Sequence, residues 1–530
     1  MKMKKRQLAI GALILATLIS GCNSKNNTPT TEVVKNGELP LVKEPMTLTW
    51  FHPLMNSNVI SNMDEQYCWQ ELQNRTGIDI EWVHPSVGTE KENINIAIAS
   101  RDLPDIMTWT WSSQAGGAAK MVEDEVIISL NDYEEYMPNY LALLSENEVA
   151  DKSARLDDGS LYGFSHIVAD ESVMVTGGYM IRQDWLDKLG LKAPETIDEW
   201  YNVLKAFKEK DPNGNGINDE IPFVCNKGAH FTHMAPAFGV KSGFYPDADG
   251  KIHYGPIEEG YREFLLTMSK WYKEGLIDTE YVTNETKNVD AKVLSDQAGS
   301  LYGSITSQLA KYVKQKSGTD FKLVAVKSPA DKDGISHSSL DARKHGVNGQ
   351  TIAVSSKCKY PIQAIQLIDY LFGEDGRMLT NWGKEGESYT IVDNKPQFTD
   401  LILNNNEGLS SLDAIAKYAF PIYGYAGPFY IDSYSAINLQ MPQQQNAVET
   451  WKSESTQMLL PILYPTDEET DIYTDVMTEV STYRSEMFTK FVIGKEPIEK
   501  FDEYVETIKK YGIDDVIAVK QAQYDRYMQK

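Results

Sequence analysis

Residues Tyr179–Phe223 read YMIRQDWLDKLGLKAPETIDEWYNVLKAFKEKDPNGNGINDEIPF, and this stretch decides the fold. Tyr179–Arg182 is a short apolar run of strand type. Gln183–Leu189 makes one or two helical turns, stopped by Gly190, the residue type that most readily ends a helix in the left-handed conformation. Pro194 bars a helix from running on behind it. Thr196 precedes Ile197, with Glu199 three positions later, which is the spacing of a reciprocal helix cap. Trp200, Val203, Leu204 and Phe207 recur at helical spacing, so Ile197–Lys208 is predicted to be an amphipathic helix.

The helix runs into Asp211-Pro-Asn-Gly-Asn-Gly-Ile-Asn-Asp-Glu220. Side-chain oxygens stand at Asp211, Asn213, Asn215 and Asp219, with Glu220 following. A glycine-bearing loop with oxygens at its first, third and fifth positions wraps a hard cation such as Ca²⁺, and Ile217 would add its backbone carbonyl. The pattern departs from a full EF-hand, because Pro222 stands where the bidentate glutamate belongs. A polar turn rich in asparagine and glycine is the competing account.

The stretch resembles the extracellular solute-binding proteins of family 1, in particular the large lipoproteins of the LplA/YtcQ type. In those, a D-x-N-x-N-x-x-x-D-E loop follows a W-x-x-x-L-G…P-x-T-x-x-E-[WF] helix pair. Ala99–Met107 (ASRDLPDIM) and Leu130–Tyr140 (LNDYEEYMPNY) resemble further segments of that family. The resemblance covers the chain from about Met46. It implies an α/β, two-lobed, periplasmic-binding-protein-like type II fold, with mixed sheets flanked by helices and a hinge crossed by several segments. It also implies calcium at Asp211, Asn213, Asn215, Ile217, Asp219 and Glu220, as in the related alginate-binding proteins.

Working outward, 530 residues are too many for one core. The apolar and charged fractions, 42% and 24%, are those of a soluble globular chain. A formal charge of −25 argues against nucleic acid and against electrostatic attachment to anionic lipid. The beginning reads as an address. Lys2, Lys4, Lys5 and Arg6 precede the apolar run Leu8–Ile19, which has signal-peptide length. Leu18-Ile-Ser-Gly-Cys22 matches a lipoprotein cleavage motif, with lipid expected on Cys22. Cleavage would take the charge to about −29. Residues 1–21 are thus read as a lipoprotein signal peptide and 22–45 as a flexible tether without apolar period. Three further cysteines, Cys68, Cys225 and Cys358, build no disulfide framework.

Strand–helix–strand alternation begins at Met46–Phe51 and continues through Gly77–Val83 and Leu103–Met107, implying a parallel sheet. Residues 46–170 and 327–388 are assigned to the first lobe, and 171–326 and 389–530 to the second. The third crossing is placed at Gly386–Val392. These crossings rest on the resemblance.

Several polar and aromatic residues are candidates for ligand contact, because α/β clefts form at the carboxyl ends of strands and sugar rings pack on aromatic faces. Trp109 and Trp111 follow the third strand and share parity; a tryptophan in the position of Trp109 contacts sugar in maltose-binding relatives. His52 and Asn56 follow the first strand. Asn226 and His230 follow the apolar run after the metal loop. Tyr302 lies in AGSLYGS, Trp382 and Glu385 in NWGKEGESY, and Tyr423 and Tyr425 in a glycine-rich aromatic loop. Arg182 and Lys227 are the cations expected near the cleft. His230 and His233 share a helix face without an evident third metal ligand.

No Gly-x-Ser-x-Gly, Walker loop or His-Glu-x-x-His is present. The resemblance, with the lipoprotein motif at Cys22, implies a non-enzymatic, monomeric, lipid-anchored receptor on the extracellular face of the cell membrane. It would deliver an oligosaccharide to the permease subunits of an ABC transporter, touching membrane only through its anchor and no nucleic acid. A carbohydrate-active hydrolase lipoprotein, a peptide receptor of similar fold and a surface adhesin stay open as alternatives.

Overall fold

Alternating apolar residues make Met46–Phe51 a strand (β1) whose Leu48 and Trp50 are fully buried. A helix, Tyr67–Thr76, follows and ends at Gly77 in the left-handed conformation (φ 72°). β2 (Ile78–Val83) and β3 (Ile106–Trp109) then lie parallel to β1 on either side. β4 (Phe164–Val168) closes this first passage. The computed structural model describes residues 33–54, 59–168, 171–407, 409–420, 430–431, 436–437 and 439–530.

The chain next builds β5 (Gly177–Arg182) and the two helices Gln183–Leu189 and Ile197–Glu209, the second capped reciprocally by Thr196 and Glu199 as the sequence predicts. β6 (Ile221–Phe223) leads to a small hairpin, β7 (Phe244–Pro246) and β8 (Ile252–Tyr254), then to β9 (Ala298–Ser304) and β10 (Leu323–Val326). Trp185, Trp200 and Phe207 fill the core against this sheet. Burying each contributes about 1.5–3 kcal/mol. Gly299 is required there, because a Cβ would fall 2.5 Å from Phe207 and 2.9 Å from Trp185.

β11 (Val347–Val354) returns to the first sheet, antiparallel to both β3 and β4. A hairpin follows, β12 (Tyr389–Val392) and β13 (Lys395–Phe398), and then β14 (Tyr430–Ile431), parallel to β4. The first sheet thus has the order β14-β4-β11-β3-β1-β2 and the second β10-β5-β9-β6. Each has its own core, the first around Trp50, Trp69 and Tyr140. The two-lobed α/β architecture is as expected.

The third crossing is not where the sequence reading puts it. Gly386–Val392 is a turn and one arm of the β12–β13 hairpin. Residues 411–420 pack on the first lobe, with Tyr67 and Cys68 backbone N–H groups donating to the carbonyls of Lys417 and Tyr418. Residues 389–407, 409–420 and 430–431 therefore belong with the first sheet. The chain passes to the second only before the helix Pro442–Lys452, which packs on β10 and β5.

Candidate functional site

The strand directions define where a cleft lies. β1, β2, β3 and β4 all point their carboxyl ends to one edge, from which β4 leaves for the second lobe and to which β11 returns. In the second sheet, β5 starts and β10 ends at the hinge edge. β9 runs antiparallel to β5 and β6 parallel to β9, so both bring their carboxyl ends there too. The segments after β1, β2, β3 and β6, and the end of β9, line facing edges.

On the first lobe this edge is aromatic. His52 is fully buried, edge-on to Trp82 at 5.8 Å and Phe420 at 5.5 Å, with Nδ1 2.9 Å from the Pro53 carbonyl. It supports the surface rather than forming it. Trp82 and His84 are half-buried and stack nearly parallel at 5.8 Å. The Trp82 N–H donates to Asp64 at 2.9 Å, and His84 Nδ1 sits 2.7 Å from the His52 carbonyl. Trp109 is 9% exposed, and its indole N–H has no partner among the described residues. Trp111 departs from expectation. β3 ends at Trp109 and a tight helical turn, Trp111–Ser113, breaks the strand alternation. Trp111 therefore turns into the core with no exposure, its N–H bonded to the Thr351 carbonyl at 3.1 Å. His166 on β4 is buried with both ring nitrogens unpartnered among the described residues, and burial lowers its pKa to about 3.

On the second lobe Tyr302 lies against His233 with ring centroids 4.3 Å apart, and His230 is 5.6 Å from Tyr302. Burial pushes Tyr302 up to about 12 and lowers both histidines, His233 to about 3 with help from His230 and Lys241. Both imidazoles are therefore neutral at pH 7. They stack at 6.0 Å instead of converging on a metal. The Asn226 side chain accepts the Gly228 N–H at 2.9 Å and shapes the loop beside them. Lys227 pairs with Glu285 at 2.7 Å.

Other expected contacts fall elsewhere. Trp382 is 4% exposed and stacks on Phe398 at 4.5 Å in the core of the hairpin region. Glu385 is exposed at the base of the β12–β13 hairpin, away from these rings. Arg182 ends β5 at the edge opposite the hinge, paired with Asp184 and Asp296. Asn56, Tyr423, Tyr425 and Cys22 lie outside the described residues. Trp82, His84, His166 and His233 were not among the expected contacts. The strand alternation of β2 was the one signal for Trp82.

The Asp211–Glu220 loop precedes β6 and so occupies the far edge of the second sheet, away from the cleft. Asp211 accepts the backbone N–H groups of Gly214, Asn215 and Gly216 at 2.8–3.1 Å. Asp219 takes the amides of Asn213, Asn215 and Gln297, bonds that lower its pKa, Asn215 most. Glu220 is 1% exposed and neither carboxylate oxygen has a partner among the described residues. Burial first, then Asp211 and Asp219, raises its pKa. No three His, Cys, Asp or Glu converge as a metal-binding group among the described residues. Here part of the donor set is amide and carbonyl, and the amide nitrogens face Asp219. The Glu220 carboxylate, buried and without a partner among the described residues, is the feature of this loop that fits a hard cation.

Two α/β lobes, each with rings at the strand ends that border the hinge, have the layout of a solute receptor. The family described as bacterial extracellular solute-binding protein matches residues 61–378, and the chain belongs to it. It is thus an extracellular binding protein and not an enzyme. It is 26% identical over 567 residues to the fructooligosaccharide ABC transporter substrate-binding protein FusA of Streptococcus pneumoniae, spanning 99% of both chains. It is 25% identical to the polygalacturonan/rhamnogalacturonan-binding protein YtcQ of Bacillus subtilis, over 61% of this chain and 63% of that one. The crystal structure of the alginate-binding protein AlgQ2 without calcium ion superposes with a TM-score of 0.69 at 25% identity, covering 91% of this chain and 99% of the other.

Proposed function

We propose that the chain captures an oligosaccharide between the two strand-end edges and presents it to the permease of an ABC importer. The observation that carries this is the pairing of uncharged ring surfaces. Trp82, His84 and Trp109 on one lobe face the edge that bears His230, His233 and Tyr302, with Asn226 beside them. Neutral rings offer flat faces to sugar C–H groups. The kinship with FusA and YtcQ supports the sugar class. The absence of a strong cationic surface among these residues favours a neutral or mildly charged glycan. Calorimetry against a panel of glycans, with product analysis on each hit, tests the reading. Saturable binding without cleavage is expected. Bond cleavage would move the chain to the hydrolases, and binding of peptides alone would overturn the ligand class.

Three finer parts belong to the same proposal. Calcium sits at Asp211, Asn213, Asn215, Ile217, Asp219 and Glu220, supported by the orphaned Glu220 carboxylate. Bound there, it neutralises the loop's carboxylates and ties β6 to the helix Ile197–Glu209. Lipid on Cys22 holds the receptor at the membrane, and the protein works as a monomer.

A further inference from the structure

The turn Asp341–Lys344 lies on the hinge, on the segment that returns from the second lobe to the first. It packs beside Glu171–Met174 of the first crossing. Just before it, Ser339 lies against the Tyr302 hydroxyl of the second lobe. Just after it, the Gly346 carbonyl accepts the Val168 N–H at the end of β4 in the first lobe, at 3.0 Å. Asp341 therefore stands between the strand-end edges of the two lobes.

Two groups fix its carboxylate by one oxygen. Lys241, which follows the helical turn bearing His230 and His233, donates to Oδ1 at 2.6 Å. The Leu460 N–H reaches the same oxygen at 3.2 Å. Oδ2 accepts no hydrogen bond among the described residues. The two side chains differ in exposure, 9% for Lys241 and 45% for Asp341. The pair thus shows its carboxylate to solvent and keeps its ammonium covered. A buried ammonium needs a counter-ion, but one oxygen meets that need and the other is left over. Burial lowers the pKa of His230, His233 and His345, so the imidazoles around the pair are neutral at pH 7. Arg343 is turned away, onto the carbonyls of Trp451, Lys452 and Glu454.

We propose that Asp341 selects neutral over acidic sugars, its exposed oxygen accepting hydroxyls of one ring and repelling a carboxylate placed there. The inference deepens the reading that the cleft takes an oligosaccharide, and rests on it. An ionised carboxylate only accepts hydrogen bonds, which suits a hydroxyl and excludes another carboxylate. Bonds to it are roughly twice as strong as those between neutral groups. Like charges set against each other across an interface are costly. Lys241 holds the group in place without offering its own charge to the ligand.

Calorimetry of the full chain with kestose, maltotriose and mannotriose tests it, followed by the best-bound of these after oxidation of its primary hydroxyls to carboxylates. In the wild type the oxidised sugar should bind at least about tenfold more weakly than the neutral one. Asp341→Asn should weaken the neutral sugar about tenfold, the worth of a hydrogen bond to a charged group. It should leave the oxidised sugar no weaker, so that the penalty for oxidation falls to roughly threefold or less. Because that variant leaves Lys241 buried without its counter-ion, the double variant Lys241→Met with Asp341→Asn decides should the single one fail to fold, and it should show the same two changes. A wild type that prefers the oxidised sugar overturns the proposal. So does a folded variant in which both affinities are unchanged or fall equally, since Asp341 is then only the counter-ion of Lys241. Those results leave the oligosaccharide reading intact. Binding of none of the three sugars by the wild type, with none of the wider glycan panel bound either, removes that reading and this inference with it.

Discussion

Glu220→Gln should have effects of opposite sign with and without calcium. In the metal-free protein the Glu220 carboxylate is buried with both oxygens unpartnered, near Asp211 and Asp219. Its pKa is raised, so the folded state holds the proton more tightly than the unfolded chain does. Stability is then fully present below the ordinary glutamate value and is lost as pH rises through the folded one. A buried unsatisfied acceptor costs about 1–3 kcal/mol when neutral and more when charged. In chelator at pH 7 the variant should therefore match or exceed the wild type, by about 1 kcal/mol, and the difference should shrink toward pH 5. In calcium at a hundredfold excess over its dissociation constant the wild type gains about 2.7 kcal/mol. In a cooperative unit of 150–250 residues that is about 5–10 °C. The variant should lose most of this gain. Scanning calorimetry of both proteins, in chelator and in calcium at two pH values, reads all four quantities. A variant less stable than wild type in chelator, with an undiminished calcium response, would falsify the assignment of Glu220 as a ligand.

Trp109→Phe should weaken glycan binding about threefold to tenfold and leave the melting temperature nearly unchanged, since its N–H has no partner to lose among the described residues. Trp111→Phe should do the reverse, costing about 1 kcal/mol of stability by stranding the Thr351 carbonyl, and calorimetry of the pair separates the roles. Burial pushes Glu454 to about 7, so its contribution to stability is present below pH 4.5 and lost as pH rises through about 7. Glu454→Gln should flatten the pH dependence of melting between about pH 5 and 8, by roughly 3 kcal/mol at most; an unchanged profile would remove Glu454 as its source. Cys22→Ser should move the protein from membrane to soluble fractions and abolish lipid mass on the chain. A membrane fraction that persists in the variant contradicts anchoring through Cys22.

Local chemistry made much of this structure legible. Met46–Phe51, Gln183–Leu189 and the start of Ile197–Glu209 coincide with the spans the pattern predicts, because alternation, Gly190 and the Thr196–Glu199 cap act over a few residues. The polar loop Asp211–Glu220 was legible as a loop for the same reason. Long-range pairing was not. Nothing local in Gly386–Val392 separates a crossing from a hairpin arm, and the decisive contact, Tyr430 with Ile167, joins distant parts of the chain. The cleft tryptophans show the limit of parity. Trp109 and Trp111 are indistinguishable by alternation until the strand ends, and the turn at Trp111 then sends one ring to the edge and the other to the core. His233 was visible as a neighbour of His230, but its stacking on Tyr302 depends on how β9 lies beside β5.

The late crossing also explains why the chain's last portion is needed to complete the hinge. Trp451, on the first helix after that crossing, is 1% exposed and donates its N–H to the Val326 carbonyl at the end of β10, 2.9 Å away. Its ring lies on Gly178 at the start of β5, where any Cβ would collide with the indole. One side chain thus touches the first crossing where it enters the second lobe and the second where it leaves. Arg343, on the segment returning to the first lobe, donates to the carbonyls of Trp451, Lys452 and Glu454, and Glu454 in turn accepts the Ser328 N–H at 2.6 Å. The first two crossings are thus fastened to the helix Pro442–Lys452 and the residues just after it by groups whose loss would strand buried partners. A fastening of this kind ties the segment entering the second lobe to the one leaving it, and so holds the second lobe's strand-end edge in a fixed relation to the chain that links the lobes.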